Sequence, residues 1–354
     1  MISSNLYIKG RGAQVLTANP FNSQNYVQEH VEGLDEDWIS DKLTKEFFES
    51  PKSILNKVDS PDVGMMYSIN PYQGCEHGCV YCYARNSHQY WGFSAGLDFE
   101  TKIVIKRNAA ELLRKVFDKD KWQPQVISFS GNTDCYQPLE RKYKITRSLI
   151  EVCMEYGNPI GILTKNSLVY RDADLLQEMA KKNLVRVMFT ITSLREDLRL
   201  KLEPRTATYK ARLKTIEKLT LMGIPCGIMA GPVIPGLNNY DTPQVIKAAA
   251  AHGALFAGYT VLRLNSSIKD IFEDWLEKNY PDSRQKIISQ IKQLHGGKVN
   301  DSEWGRRMKG DGKLAESIHQ LIAQAKKKYL KDCIIPEYNY SAFKRTDNGQ
   351  LRMF

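Results

Sequence analysis

Several features are missing from this chain of 354 residues. No apolar run approaches the ~18 residues that a membrane-spanning helix needs, so no span is expected. The opening stretch, MISSNLYIKGRGAQ, lacks the apolar segment of a signal peptide, which makes a cytoplasmic location the default expectation. There is no internal repeat and no low-complexity tract. The 7 cysteines are an odd number with no regular disulfide spacing, which points away from a secreted, disulfide-stapled fold.

The bulk composition is that of a globular protein, with 42% apolar and 25% charged residues. The net charge of +10 is unevenly spread. Residues 1–60 carry 6 basic and 9 acidic side chains, whereas residues 260–354 carry 18 basic and 12 acidic. A basic surface suits nucleic acid or a phosphorylated or otherwise acidic partner; it also suits solubility alone.

Residues 1–64 read as an irregular N-terminal arm. GRGAQ and NPFNSQN are turn-rich, and Asp35 to Phe48 shows scattered helical spacing. From residue 65 the pattern becomes regular. Short apolar runs at 66–70, 125–130, 160–165, 185–192, 226–231 and 256–264 predict strands. Amphipathic segments near 108–118, 139–156, 171–183, 207–222 and 241–252 predict the helices between them. Six such units imply parallel strands covered on both faces. The expected fold is α/β, a partial (β/α)6 TIM-type barrel over residues 65–265, with a doubly wound open sheet as the alternative. Residues 266–354 read as a basic helical extension, with helices at 268–278, 283–295 and 311–331.

In parallel α/β folds functional groups gather at the C-terminal ends of the strands. The unusual motifs sit there. CEHGCVYC follows the first strand, SGNTDCYQP the second, TKN the third, TSLRE the fourth and GPVIPGLN the fifth. Cys75, Cys79 and Cys82 have the spacing C-x3-C-x2-C with no second pair; Cys135, Cys153, Cys226 and Cys333 are scattered singly. Structural zinc takes four protein ligands, usually as two pairs. His77 is a conceivable fourth ligand, but in a short glycine-flanked turn a solvated or second-shell place is expected. Three thiolates on a [4Fe–4S] cluster would leave one iron open.

C-x3-C-x2-C with Tyr81 before the last cysteine, behind the first strand of an α/β repeat, resembles the radical S-adenosylmethionine superfamily. CVYCYA, SGNTDCYQPLE, ILTKN, TITS, LEPRT and GPVIPGLN, in that order, are similar to the branch containing spore photoproduct lyase, over roughly residues 65–265. The resemblance implies two cofactors, a [4Fe–4S] cluster on Cys75, Cys79 and Cys82 and S-adenosylmethionine on its free iron. Reductive cleavage would give a 5′-deoxyadenosyl radical that abstracts hydrogen from a substrate, nucleic acid being one candidate. An electron donor such as flavodoxin or ferredoxin is the implied partner.

The resemblance also implies roles, each beside a plainer one. Gly74 and Gly78 would let the loop wrap the sulfurs. Tyr81 and Tyr83 would pack against adenine or the cluster, or simply in the core. Ser130, Gly131, Asn132 and Thr133 would cradle the methionine amino group; Asp134 would help them or cap the next helix. Lys165 would take the methionine carboxylate or a rim carboxylate. Thr192 and Ser193 would bind the ribose, and Ala230, Gly231 and Pro235 would shape the adenine site. Glu203 and Arg205 are candidate catalytic contacts or a structural ion pair.

At one point the pattern departs from spore photoproduct lyase. The position of that enzyme's cysteine hydrogen donor holds Gly131, and Cys135, four residues on, is the remaining candidate for that catalytic role. Lesion repair is therefore an alternative reading, as is a non-catalytic zinc or iron–sulfur nucleic-acid-binding protein. The aromatics His88, Tyr90, Trp91 and Phe93 offer a stacking surface or packing under the arm. Arg306, Arg307 and Lys309 form a basic loop of phosphate-binding or merely solvated character. Lys326–Lys328 read as the exposed side of the last helix.

Overall fold

The computed structural model describes residues 8–21 and 44–345. All six expected strands form. They are β3 (Tyr67–Ile69), β6 (Ile127–Phe129), β7 (Ile160–Thr164), β8 (Val185–Thr190), β9 (Cys226–Met229) and β10 (Phe256–Gly258). They pair in parallel in the order β10-β9-β8-β7-β6-β3, and β2 (Leu55–Lys57) adds antiparallel at the β3 edge. Among the described residues nothing pairs β2 with β10, so the barrel stays open, as a partial (β/α)6 barrel does.

The predicted helices form within a residue or two of their expected ends, except that the segment expected at 139–156 breaks at Lys144 (φ +52) into two helices. Those of the barrel are α2 (Ala109–Phe117), α4 (Ile145–Tyr156), α5 (Ala173–Lys181), α7 (Tyr209–Leu221) and α8 (Thr242–Ala251). The extension supplies α9 (Ile268–Asn279), α10 (Arg284–Leu294) and α11 (Gly312–Tyr329). The short α1 (Leu97–Thr101), α3 (Glu140–Tyr143) and α6 (Glu196–Leu202) complete the set. Ile127, Ile160, Val185, Phe189 and Ile228 from the strands are wholly buried with Leu149, Leu176, Ile216 and Ile246 from the helices. The helices cover the outer face of the strands, and burial alternates along β7 and β8 between that face and the barrel interior.

The sequence reading missed a second, three-stranded sheet, β1-β5-β4, made of β1 (Lys45–Glu49), β5 (Lys102–Lys106) and β4 (Tyr72–Gln73). Its first strand corrects the helical reading of Asp35 to Phe48; the part before Thr44 lies outside the described residues. Pairing with the apolar KIVIK run of β5, in parallel from Lys45↔Lys102 to Glu49↔Lys106, outweighs the weak helical period of KEFFE. The cysteine segment therefore springs from β4, which two residues separate from the barrel strand β3.

Candidate active site

The loop Gly74–Cys82 carries the three thiols, and residues from distant elements satisfy its backbone. Cys75 N–H donates to Phe99 O (2.8 Å), Glu76 N–H to Gln137 Oε1 (3.0 Å) and Val80 N–H to Leu202 O (3.0 Å). Gly74 O accepts from Gln137 Nε2 (3.1 Å), and His77 O from Arg205 N–H (3.2 Å). The buried Glu76 carboxylate accepts from Leu139 N–H (2.9 Å) and Thr44 Oγ1 (2.8 Å), with Arg205 at 3.3 Å. Gly78 sits at φ +69, and a Cβ there would meet Glu100 Oε2 at 2.8 Å. The arm closes the outside of the loop: Gly12 and Ala13 N–H donate to Glu100 (3.0 and 2.7 Å), and a Cβ on Gly12 would meet Gly78 O at 1.6 Å. Glu100 in turn pairs with the fully buried Arg85 (2.5 Å).

All three cysteines are free; Cys75 and Cys79 are buried and Cys82 half-buried. Burial pushes the Cys75 and Cys79 thiols up, and at Cys79 the Lys165 charge opposes it. Among the described residues no three His, Cys, Asp or Glu groups converge as on one metal ion. A cluster, which takes one thiolate per iron, spreads its ligands more widely than a single ion does. Three unpaired thiols on a braced loop, Cys75 and Cys79 buried and Cys82 half-buried, fit that donor set, since metal binding ionises coordinating thiols.

Of the two places expected for His77, solvent or the surroundings of the ligands, the structure shows it out of solvent. It is buried, with Nδ1 3.3 Å from Asp134 Oδ2 and Nε2 3.3 Å from Asn166 Nδ2. Asp134 also accepts from Lys165 N–H (2.8 Å), Thr164 Oγ1 (2.8 Å) and Tyr136 N–H (2.9 Å). Although burial resists the charge, His77 and these donors hold its carboxyl down at about 2. Asp134 thus ties the cysteine loop to the ends of β6 and β7.

Lys165 leaves β7 with a half-buried side chain whose ammonium makes no ion pair or hydrogen bond among the described residues. It stands 5.9 Å from the Tyr81 ring centre. Burial works against its charge, but Cys79, Glu203, Cys82 and Asp134 outweigh burial and raise its pKa. It is a cation facing the cysteine loop.

The other expected site residues divide. Ser130 (φ +73) accepts from Cys135 N–H at 2.8 Å. Asn132 N–H donates to Asn70 Oδ1 (2.6 Å) and its Nδ2 to Gln73 and Ser87 (3.1 and 2.8 Å); Thr133 Oγ1 donates to Tyr72 O (2.6 Å). These four-residue contacts shape a tight turn beside the loop, and Tyr83 Oη closes it by donating to Gly131 O (2.6 Å).

Thr192 donates to Glu203 and to Gly231 O (3.2 Å), and Ser193 Oγ donates to Asp241 (2.6 Å). Both hydroxyls expected on a ribose are spent inside the protein. Glu203 is wholly buried, paired with Arg212 (2.7 Å) and hydrogen-bonded by Tyr81 and Thr192. Arg212 and Lys165 hold its carboxyl at about 2 despite burial. Glu203 and Arg205 therefore brace the loop, through Tyr81 and through Glu76 and His77.

Cys135 is fully covered within the main apolar core, and its backbone carbonyl accepts from Thr146 Oγ1 (2.6 Å). The aromatic segment packs as the plainer reading held. His88 is buried between Phe93 and Phe99, and Tyr90 stacks on Phe21 of the arm at 4.8 Å. Glu76, Glu100, Gln137 and Arg212 were missed: charged or amide residues far apart in sequence carry no local mark of shared burial.

Residues 69–249 match the radical SAM superfamily. An uncharacterised protein of Mycobacterium tuberculosis is 34% identical over 249 residues, 69% of this chain and 72% of that one. The chain belongs to the radical SAM superfamily. It is a radical SAM enzyme, and its family works with S-adenosylmethionine and an iron–sulfur cluster. An uncharacterised protein of Methanocaldococcus jannaschii is 30% identical, over 68% of this chain and 85% of that one. The fold is also that of spore photoproduct lyase in complex with a dinucleoside spore photoproduct, with TM-score 0.59 and 16% identity over 80% of this chain and 79% of that one. Among the described residues no helix is long and apolar enough to cross a membrane.

Proposed function

We propose that Cys75, Cys79 and Cys82 of this radical SAM enzyme hold a [4Fe–4S] cluster, and that Lys165 receives the carboxylate of S-adenosylmethionine beside it. When bound, these groups supply one-electron cleavage of the sulfonium to methionine and a 5′-deoxyadenosyl radical that removes a hydrogen atom from substrate. The observation that carries the reading is the unpaired ammonium of Lys165, among the described residues, beside three free thiols, two of them buried, at one strand-end rim.

The chain's own task is placement and exclusion of water. Asp134, Glu203 and Glu76 fix the loop through His77, Tyr81 and Arg205; the arm seals it from outside. The turn Ser130–Thr133 offers backbone groups to the methionine amino end. Repair of a thymine photoproduct through a thiol donor finds no support in a covered Cys135.

The test is production of 5′-deoxyadenosine by anaerobically reconstituted protein with dithionite and S-adenosylmethionine. Wild type should form it, and Cys79→Ala should not. Cleavage by Cys79→Ala at the wild-type rate would refute the ligand assignment.

A further inference from the structure

The open side of the barrel, between β10 and β2, is bridged by a loop with no part in the site described so far. It joins α10 to α11 over residues 295–311, and its two ends meet, with Asp311 N–H donating to Leu294 O (2.9 Å). One flank runs beside the chain beyond β10: Leu264 N–H donates to Val299 O (3.0 Å) and Val261 N–H to Met308 O (3.0 Å). The tip crosses to the other edge. There Asp62, in the turn between β2 and β3, accepts from Gly305 N–H (2.7 Å) and Arg307 Nε (2.6 Å), and Ser60 Oγ accepts from the Arg307 guanidinium (2.5 Å).

The tip is braced within itself and lightly held from outside. Asp301 accepts from Arg306 Nε (2.5 Å) and Glu303 N–H (2.8 Å), and Arg307 N–H donates to Glu303 O (2.9 Å). Both arginines are thus committed to aspartates. Neither large apolar side chain of the tip enters the core. Trp304 is 60% exposed and Met308 half-buried, whereas the flanking α10 and α11 bury Ile291, Leu294, Ala315 and Ile318. A segment that buries no apolar core and is fastened by polar contacts opens at small cost, because water replaces the bonds it loses. Each root carries two glycines at positive φ: Gly296 (+61) and Gly297 (+89) after α10, Gly310 (+77) and Gly312 (+79) before α11. A Cβ on Gly296 or Gly297 would meet nothing within 4 Å, so these two serve the backbone rather than packing.

Both edges that the loop joins lead to the candidate site. Met308 O also accepts from Thr260 Oγ1 (3.2 Å), and Thr260 lies against the turn after β9, its carbonyl oxygen 3.0 Å from where a Cβ on Gly231 would stand. Gly231 O is the acceptor of the Thr192 hydroxyl. On the other edge β3 runs from the Asp62 turn to Asn70, which accepts from Asn132 N–H (2.6 Å). The turn that leaves Cys82 reaches the chain beyond β10, with Asn86 Nδ2 donating to Asn265 O (3.1 Å).

We propose that this loop is a gate. Its tip swings about the two glycine pairs when the Asp62–Arg307 latch parts, and S-adenosylmethionine enters and its products leave through the open side of the barrel. A closed gate keeps water from the radical, and an opening step lets a covered site exchange its ligand. Among the described residues no hydrogen bond or ion pair joins the tip to the cysteine loop or to Lys165, so the tip controls passage rather than affinity. The inference rests on the S-adenosylmethionine site proposed above.

The experiment compares wild type with Asp62→Ala and Arg307→Met, each as the reconstituted full chain. Hydrogen exchange read by mass spectrometry should show residues 299–310 exchanging about tenfold faster in both variants, with α10 and α11 as protected as in wild type. Rapid-filtration kinetics with radiolabelled S-adenosylmethionine should show association and release both faster by about that factor, while the dissociation constant stays within about twofold. A binding contact would change release and affinity together, whereas a gate changes both rates and leaves affinity alone. Unchanged exchange would overturn the latch. Faster exchange with unaltered S-adenosylmethionine rates, or with weakened affinity, would overturn the gate. Binding by wild type is scored separately: its absence sinks the S-adenosylmethionine site itself, whereas binding with rates indifferent to the latch sinks only the gate.

Discussion

Replacing Glu203 by glutamine tests the buried pair on which the cysteine loop leans. The carboxylate is wholly covered, 2.7 Å from Arg212, and accepts from Tyr81, next to Cys82, and from Thr192. Glutamine keeps the shape and can still accept from both hydroxyls, so the change isolates the charge. A carboxyl held at about 2 against an ordinary 4.5 contributes on the order of 3 kcal/mol to the folded state. Leaving Arg212 buried and uncompensated costs about 3–5 kcal/mol by a separate argument, so the two agree.

The folded-state pKa is lowered, so this contribution is complete above about 4.5 and is lost as pH falls toward about 2. Urea unfolding of cluster-free protein should show Glu203→Gln less stable by roughly 3–5 kcal/mol at pH 7. The gap should narrow progressively below pH 4.5. Adding Arg212→Met should restore much of the loss, because the stranded charge is then gone. A loss under about 1 kcal/mol, or strictly additive effects of the two changes, would refute the reasoning.

Three further outcomes follow from neighbouring contacts. Gly12→Ala cannot keep a Cβ 1.6 Å from Gly78 O, so the arm should lift from the loop; limited proteolysis should then cut within residues 8–21, and an unchanged digest would contradict the packing described. Asp134→Asn should cost roughly 1.5–3 kcal/mol in urea melts at pH 7 through lost charge-assisted bonds. Since the Asp134 carboxyl is held at about 2, that difference too should fade only as pH falls below its ordinary 3.8. Lys165→Met should weaken S-adenosylmethionine binding about tenfold or more while iron and sulfide content stay at wild-type levels, measured by equilibrium binding and metal analysis.

The barrel was legible because its strands announce themselves. VRVMFTIT and IGILTK are β-branched runs too short for helices, bounded by turns, and their spacing leaves room for one helix each. The second sheet was not, because KEFFE has the composition of a helix and acquires its strand conformation only from β5, fifty-odd residues away in the chain. At the site, the cysteine spacing and the strand-end lysine were visible as local patterns. The roles of Glu203 and Arg205 were not, because LEPRT gives no sign that Arg212 and Glu76 wait to pair with them. The burial of Cys135 was not legible either, because the turn before it contains Ser130 at positive φ, a conformation uncommon outside glycine.

The most direct measurement of the central claim is electron paramagnetic resonance of the anaerobically reduced, reconstituted protein, with and without S-adenosylmethionine. An iron–sulfur signal whose shape changes when S-adenosylmethionine is added is the result expected, since the sulfonium substrate then reaches an iron that no side chain ligates. A signal indifferent to S-adenosylmethionine, or stoichiometric zinc in place of iron and sulfide, would contradict the account.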